Sequence, residues 1–87
     1  MIKIEKLSQS EILKRGINTW PIWEKEIATF PWEYDSDEYC FILQGEVVVN
    51  ANGTDYHIEE GDFVWFPKGL KCTWNILSPI RKYYQFK

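Results

Sequence analysis

From Trp20 to the C-terminus, apolar and polar residues alternate in short runs, and this period of two constrains the fold more than any other feature. Successive side chains of a β-strand point to opposite faces, so such alternation is typical of half-buried strands. No segment between the runs is long enough for a helix that would connect parallel strands, which favours an antiparallel barrel or sandwich. The predicted strands are residues 23–27, 29–34, 39–43, 46–50, 55–58, 63–66, 71–76 and 82–86.

Turn residues fill the gaps between these runs. "QG" joins the third run to the fourth, "ANGT" contains the Asn-Gly pair of a primed hairpin turn, and Pro79 interrupts the approach to the last run. Gly45, Gly61 and Gly69 stand at junctions where a positive φ is commonly needed, which glycine adopts without a Cβ clash. We therefore expect tight turns at these positions, including a hairpin at Gly45.

The N-terminal segment has a different pattern. Ile2 and Ile4 alternate with polar residues, which suits a short edge strand. "SQSEILKRG" follows, in which Ser8 and Glu11 form a capping-box pattern and Gly16 is placed to end a helix. The sequence thus predicts an all-β domain with one short N-terminal helix.

Composition limits the function classes. The 87 residues, 45% of them hydrophobic, suffice for one core, so we expect a single domain over residues 1–87. The net charge of −3 argues against a nucleic-acid partner, which requires a net basic face. No apolar run approaches the ~20 residues that span a bilayer, and the N-terminus lacks a signal-peptide core. We therefore expect a cytoplasmic protein, without a membrane partner, in which Cys40 and Cys72 are free thiols.

Two motifs indicate a family. In "EYCFILQG" six residues separate Glu38 from Gly45, and "GDFVWFPKG" begins a Gly-x5-Pro-x-Gly-x2-Cys pattern that ends at Cys72. These spacings resemble the two signature motifs of the cupin superfamily. With "WPIWEKE", "FPKG" and "RKYY", the whole chain resembles the short single-domain cupins of the (S)-ureidoglycine aminohydrolase-like group. The resemblance implies a small cupin jelly-roll β-barrel, open at one end, and a homodimer.

The same resemblance bears on metal binding. Metal-binding cupins place a His-x-His pair where this chain has Trp32 and Tyr34, and a further histidine where it has Cys72. Only Glu38 matches a ligand directly, and an indole offers no lone pair suited to a divalent ion. A divalent metal held by Glu38 and Cys72 stays possible because thiolate and carboxylate both bind zinc. The expectation is nevertheless a metal-free pocket with no cofactor.

Several residues allow two interpretations. Glu38 is either a turn cap in solvent or an inward-facing ligand group, and we prefer the second. Cys40 is interpreted as a core filler, and the single histidine, His57, as an exposed strand residue. Cys72 would be a nucleophile only if a neighbouring cation such as Lys68 or Lys71 lowered its pKa.

The functional prediction is a cupin of unassigned activity that binds a small molecule inside the barrel. Aromatic faces and one carboxylate favour a ligand with a cationic or amide group. The alternative is a metal-dependent hydrolase, similar to the aminohydrolases, that acts on a small nitrogen-containing metabolite. A third hypothesis is an accessory subunit. Whether the protein is an enzyme is left open. The expected pocket residues are Trp32, Tyr34, Glu38, Cys72 and Trp74.

Overall fold

The computed structural model describes all residues from 1 to 87, and it is built mainly from antiparallel strands. A single 3₁₀ turn, Ile17–Thr19, follows the one α-helix. The elements in chain order are β1 (Lys3–Lys6), α1 (Gln9–Lys14), β2 (Ile22–Lys25), β3 (Thr29–Glu33), β4 (Glu38–Ala51), β5 (Thr54–Glu59), β6 (Asp62–Phe66) and β7 (Lys71–Phe86).

Two long strands organise the sheet. β4 and β7 pair with each other from Glu38 opposite Phe86 to Asn50 opposite Thr73. On its other edge β4 pairs first with β6 and then with β5, while β7 pairs first with β3 and then with β2. Each long strand therefore belongs to two halves of the sheet, and the bend between the halves rolls the sheet into a small barrel.

The bend lies where the pairing of β4 and β7 shifts register, between Ile42 and Val47. Gly45 sits in this irregular stretch with a φ of 99°, and a Cβ atom there would overlap the backbone carbonyl of Pro79 on β7. The bend thus depends on glycine both for its backbone angle and for the close approach of two strands.

This geometry corrects two predicted boundaries. The runs 39–43 and 46–50 are one continuous strand, so the hairpin predicted at "QG" is wrong, although the positive φ of Gly45 is confirmed. The runs 71–76 and 82–86 are likewise one strand, and Pro79 does not interrupt it. The Asn-Gly hairpin is confirmed between β4 and β5, where Asn52 and Gly53 both have positive φ.

The fold class is confirmed: the domain is an all-β barrel with one short N-terminal helix. The Ser8 side chain caps α1 by accepting from the Glu11 N–H at 3.3 Å. Ile12 of this helix packs with Ile17 and Phe41 on the outside of the sheet, apart from the main core. The larger core fills the barrel with 15 buried residues, of which Cys40, Ile42 and Val64 are completely shielded from solvent.

Candidate functional site

A cavity of about 230 Å³ lies between β2, β3, β7 and the start of β4. Seven of its nine lining side chains are aromatic or otherwise hydrophobic, and the other two carry opposite charges. A pocket with apolar walls and a few placed polar groups is the usual form of a small-molecule site. The lining residues are Trp23, Phe30, Trp32, Tyr34, Glu38, Trp74, Lys82, Tyr84 and Phe86.

Strand alternation explains how these residues meet. Phe30 and Trp32 are two residues apart on β3, and Tyr34 follows directly, held by a 2.9 Å bond from its backbone N–H to the Leu70 carbonyl. On β7 the even-numbered positions face inward, which turns both Trp74 and Lys82 to the interior. The cavity is therefore lined by one face of each strand.

Glu38 lies at the base of the cavity, where β4 begins. It is 2% exposed, and its backbone lies between β6 and β7, opposite Phe66 and Phe86. Its Oε1 accepts a hydrogen bond from the Tyr34 hydroxyl at 2.7 Å, and its Oε2 accepts one from Lys82 Nζ at 2.7 Å. Both oxygens of this buried carboxylate are thus already engaged within the chain.

Tyr34 stays protonated in this arrangement. Burial raises the pKa of its phenol well above the usual range, and the charge of Glu38 acts in the same direction. The ring also stacks on Phe66, with 5.0 Å between the centroids. The hydroxyl is consequently a fixed hydrogen-bond donor that orients Glu38.

Lys82 is the main site residue that sequence reasoning missed. Its side chain is 6% exposed, and Nζ lies 4.6 Å from the ring centroid of Trp74 and 4.9 Å from that of Trp23. Two indole faces and a carboxylate therefore surround the ammonium group. A signal was available, because Lys82 stands between Ile80 and Tyr84 on the apolar parity of its strand, where a lysine has to be paired.

The aromatic walls form a connected layer. Trp74 contacts Phe30 in a stacked arrangement at 6.2 Å and Trp23 edge-on at 6.1 Å. At the mouth, Trp32 and Phe86 remain about half exposed. The indole nitrogen of Trp74 is buried, and its N–H interacts with the Cys72 thiol, where it acts to lower the thiol pKa against the larger effect of burial.

Four of the five predicted pocket residues meet around this cavity: Trp32, Tyr34, Glu38 and Trp74. Cys72 does not line it, and its Sγ lies 3.6 Å from the Trp32 carbonyl oxygen, to which it donates a weak hydrogen bond. Burial raises the pKa of the Cys72 thiol, which is opposite to the lowering that a nucleophile would need. Cys72 thus faces the barrel interior with the other even-numbered residues of β7 but lies outside the lining of this cavity.

Cys40 and His57 lie outside the cavity. Cys40 is fully buried in the main core, where burial raises its thiol pKa to about 12. His57 is exposed on the outer face of β5, and its ring lies between the carboxylates of Glu46 and Glu59. These three side chains form a cluster on the surface, and none of them lines the cavity.

The cavity residues do not fit the divalent metal that the fold family implies. Trp32 offers no ligand atom, and the Tyr34 hydroxyl donates its proton to Glu38. The remaining oxygen of Glu38 accepts from Lys82, whose ammonium supplies the positive charge beside the carboxylate. A metal at Glu38 would have to displace a buried lysine that carries the same sign of charge.

Known proteins share this architecture. A family model described as EutQ-like cupin domain matches residues 13–84. The crystal structure of a DUF861 family protein from Thermotoga maritima is 46% identical, with both chains covered completely and a TM-score of 0.96. A putative ethanolamine utilization protein Q from Salmonella typhimurium is 21% identical, with 98% of this chain and 68% of that chain covered and a TM-score of 0.68.

A curated protein from Escherichia coli, named acetate kinase EutQ, is 32% identical over 62 residues. The match covers 71% of this chain but only 26% of that protein, so this chain spans about a quarter of the relative's length. Separately, none of the helices has the length and apolar character needed to cross a membrane.

Proposed function

Because the chain belongs to the family of EutQ-like cupin domains, we propose that its barrel cavity binds a small, largely apolar organic molecule without a metal ion. The ligand is neutral or anionic and carries an oxygen that accepts hydrogen bonds, such as a carbonyl or carboxylate. Flat apolar groups would lie against the indole and phenyl faces.

The balance of donors and acceptors carries this proposal. Both oxygens of Glu38 already accept hydrogen bonds within the chain. Lys82 has three N–H donors, of which one is used by Glu38. Lys82 therefore keeps two N–H donors for a ligand, and a cationic ligand, which Glu38 alone would have favoured, would be repelled by Lys82.

The proposal is tested with three probes of similar shape: benzoate, benzyl alcohol and benzylamine. Each is titrated against the tryptophan fluorescence of the protein. We expect benzoate to bind at least about tenfold more tightly than benzylamine, because a charge-assisted hydrogen bond to Lys82 is worth ~1.5–3 kcal/mol. Equal affinity of the acid and the amine would refute the assigned polarity, and no saturable quenching by any probe would refute the cavity as a site of this class.

A matched pair of variants locates the binding. Trp32→Ala removes an indole from the mouth of the cavity, whereas Trp65→Ala removes one that does not line it. Benzoate affinity should fall in the first variant and stay unchanged in the second. Equal losses in both would place the benzoate elsewhere.

The E. coli relative's name refers to acetate, a small carboxylate, and this supports a carboxylate among the candidate ligands. Kinase activity is not proposed for this chain, which spans a quarter of that protein. The metal-dependent hydrolase alternative, and with it membership of the ureidoglycine aminohydrolase-like group, gains no support from a cavity whose one carboxylate is paired with Lys82.

We also propose a cytoplasmic, homodimeric protein. Cys40 and Cys72 are both free thiols, which supports a reducing compartment. Ile4 and Ile22 are exposed on the two strands at the ends of the sheet, which supports pairing with a second copy. Light scattering after gel filtration measures the mass directly, and a monomer would refute the dimer.

A further inference from the structure

Lys82 differs from every other lysine of the chain. The other seven lysines are exposed, whereas Lys82 is 5% exposed and lines the cavity. Desolvation in an apolar pocket is one of the conditions under which lysine acts as a nucleophile toward carbonyl compounds, and here the Glu38 carboxylate, 2.7 Å from Nζ, is placed to remove the ammonium proton. The buried amine is therefore a candidate nucleophile, in addition to being the ion-pair partner of Glu38.

We propose that Lys82 Nζ forms a reversible iminium adduct with small aromatic or aliphatic aldehydes and ketones that enter the cavity. The inference rests on the proposed function in one respect, since the carbonyl compound must occupy the same cavity. Glu38 is the group that moves the protons, and Tyr34 is a positioning residue that holds Glu38 through its second oxygen.

The steps use only groups at the site. Glu38 Oε2 first takes a proton from Lys82 Nζ across 2.7 Å, which frees the nitrogen lone pair. This lone pair forms a bond to the carbonyl carbon. The π electron pair of the C=O bond moves to the carbonyl oxygen. Glu38 passes its proton to that oxygen and removes a second one from nitrogen, giving the carbinolamine. Returning this proton to the hydroxyl lets water leave as the nitrogen lone pair forms the C=N bond.

The charge balance favours this outcome. The ammonium and the carbonyl compound become an iminium and a water molecule, with no oxidation or reduction. Positive charge thus stays on the Lys82 nitrogen beside the Glu38 carboxylate, and the buried ion pair survives the reaction. An adduct that neutralised the nitrogen would leave Glu38 as an unpaired buried charge, which is strongly destabilising.

The walls support the adduct as well. Trp23 and Trp74 lie 4.9 and 4.6 Å from Nζ, so their indole faces shield the nitrogen from bulk water. Hydrolysis of an imine requires water, and its exclusion favours the adduct. The half-exposed Trp32 and Phe86 mark the side from which a carbonyl compound enters and water leaves.

The test is reductive trapping of the native chain. Benzaldehyde and sodium cyanoborohydride are added together, the hydride converts an iminium to a stable benzyl amine, and peptide mapping by mass spectrometry locates the benzyl groups. We expect Lys82 to be benzylated at least about tenfold faster than the exposed Lys68 in the same sample. Equal or slower modification of Lys82 would overturn the inference, and this comparison within one molecule depends on no variant.

Two controls separate this inference from the proposed function. Benzoate should protect Lys82 and leave Lys68 unaffected, and Lys82→Arg, which keeps the positive charge, should show only the background benzylation of the exposed lysines. Saturable benzoate binding without selective benzylation refutes the iminium alone. Selective benzylation of Lys82 without benzoate binding upholds the iminium and refutes the carboxylate ligand.

Discussion

Lys82 Nζ lies 2.7 Å from Glu38 Oε2, and both side chains are almost completely shielded from solvent. The two residues are 44 positions apart in the chain, yet β4 and β7 bring them together at the base of one cavity. A buried ion pair costs desolvation energy on both partners, so its presence among aromatic walls needs a reason beyond stability. We expect that reason to be the chemistry of the cavity.

The ion pair predicts strong coupling between two substitutions. Glu38→Gln or Lys82→Met alone leaves one buried charge without its partner and should lower the free energy of unfolding by ~3–5 kcal/mol. The double variant removes both charges and should recover much of that loss. Urea unfolding of all four proteins measures the coupling, and additive losses would show that the two groups do not depend on each other.

We predict that a substitution of Gly45 has a steric effect that a substitution in a simple turn would not have. Gly45→Ala forces a Cβ atom against the Pro79 carbonyl and should destabilise the protein by ~3 kcal/mol or more, since the opposing atoms belong to the backbone. Gly53→Ala is the matched control, because its φ of 78° is also positive but no atom lies within 4 Å of the added Cβ. It should cost only ~1–2 kcal/mol. Similar midpoints of thermal unfolding for the two variants would contradict the close approach of β4 and β7.

Substitutions of two cavity tryptophans should affect ligand binding and protein stability to different extents. Trp32 is 47% exposed, so Trp32→Ala should change the free energy of unfolding by less than about 1 kcal/mol while weakening benzoate binding. Trp74 is 2% exposed, so Trp74→Ala should cost ~3–5 kcal/mol of stability. Denaturant melts and fluorescence titrations measure the two effects, and a large loss of stability in Trp32→Ala would show that its ring belongs to the core.

We predict that the buried Cys40 thiol lowers the free energy of unfolding at alkaline pH. Burial raises its pKa from 9.0 to about 12, so the folded chain keeps the thiol proton over a range in which the unfolded chain releases it. The contribution of the Cys40 thiol to the free energy of unfolding is therefore complete below pH 9. It declines as the pH rises toward 12, by at most about 1.4 kcal/mol per pH unit.

Cys40→Ala is the control for this effect. Tyr34 also has a raised pKa and adds a loss of the same sign above its usual value of 10.0, and this loss should persist in the variant. The difference in unfolding free energy between the two proteins should thus change with pH above 9. Parallel stability curves would contradict a buried neutral thiol.

Much of the fold was readable from local pattern. The alternation from Trp20 onward indicated antiparallel strands, and Ser8 and the Asn52–Gly53 pair marked a helix start and a hairpin that the structure confirms. These signals act within a few residues, where side-chain period and backbone angle alone decide the conformation. Gly45 shows the limit, because a hairpin turn and a bulge in a continuous strand both call for a positive φ. Only the pairing with β7 decided between them.

The candidate site, like the fold, could be predicted from the sequence only in part. The sequence by itself placed Trp32 and Tyr34 on one face, because their spacing follows the period of a strand, and the motif spacing placed Glu38 at an inward-facing position. Tertiary structure alone decided that Lys82 is the partner of Glu38 and that the Cys72 thiol lies beside the Trp32 carbonyl rather than in the cavity lining. Such contacts join residues about 40 positions apart, and they depend on how the sheet rolls rather than on any neighbouring residue. The positive charge that Lys82 brings to the cavity therefore depends on the pairing of β7 with β4.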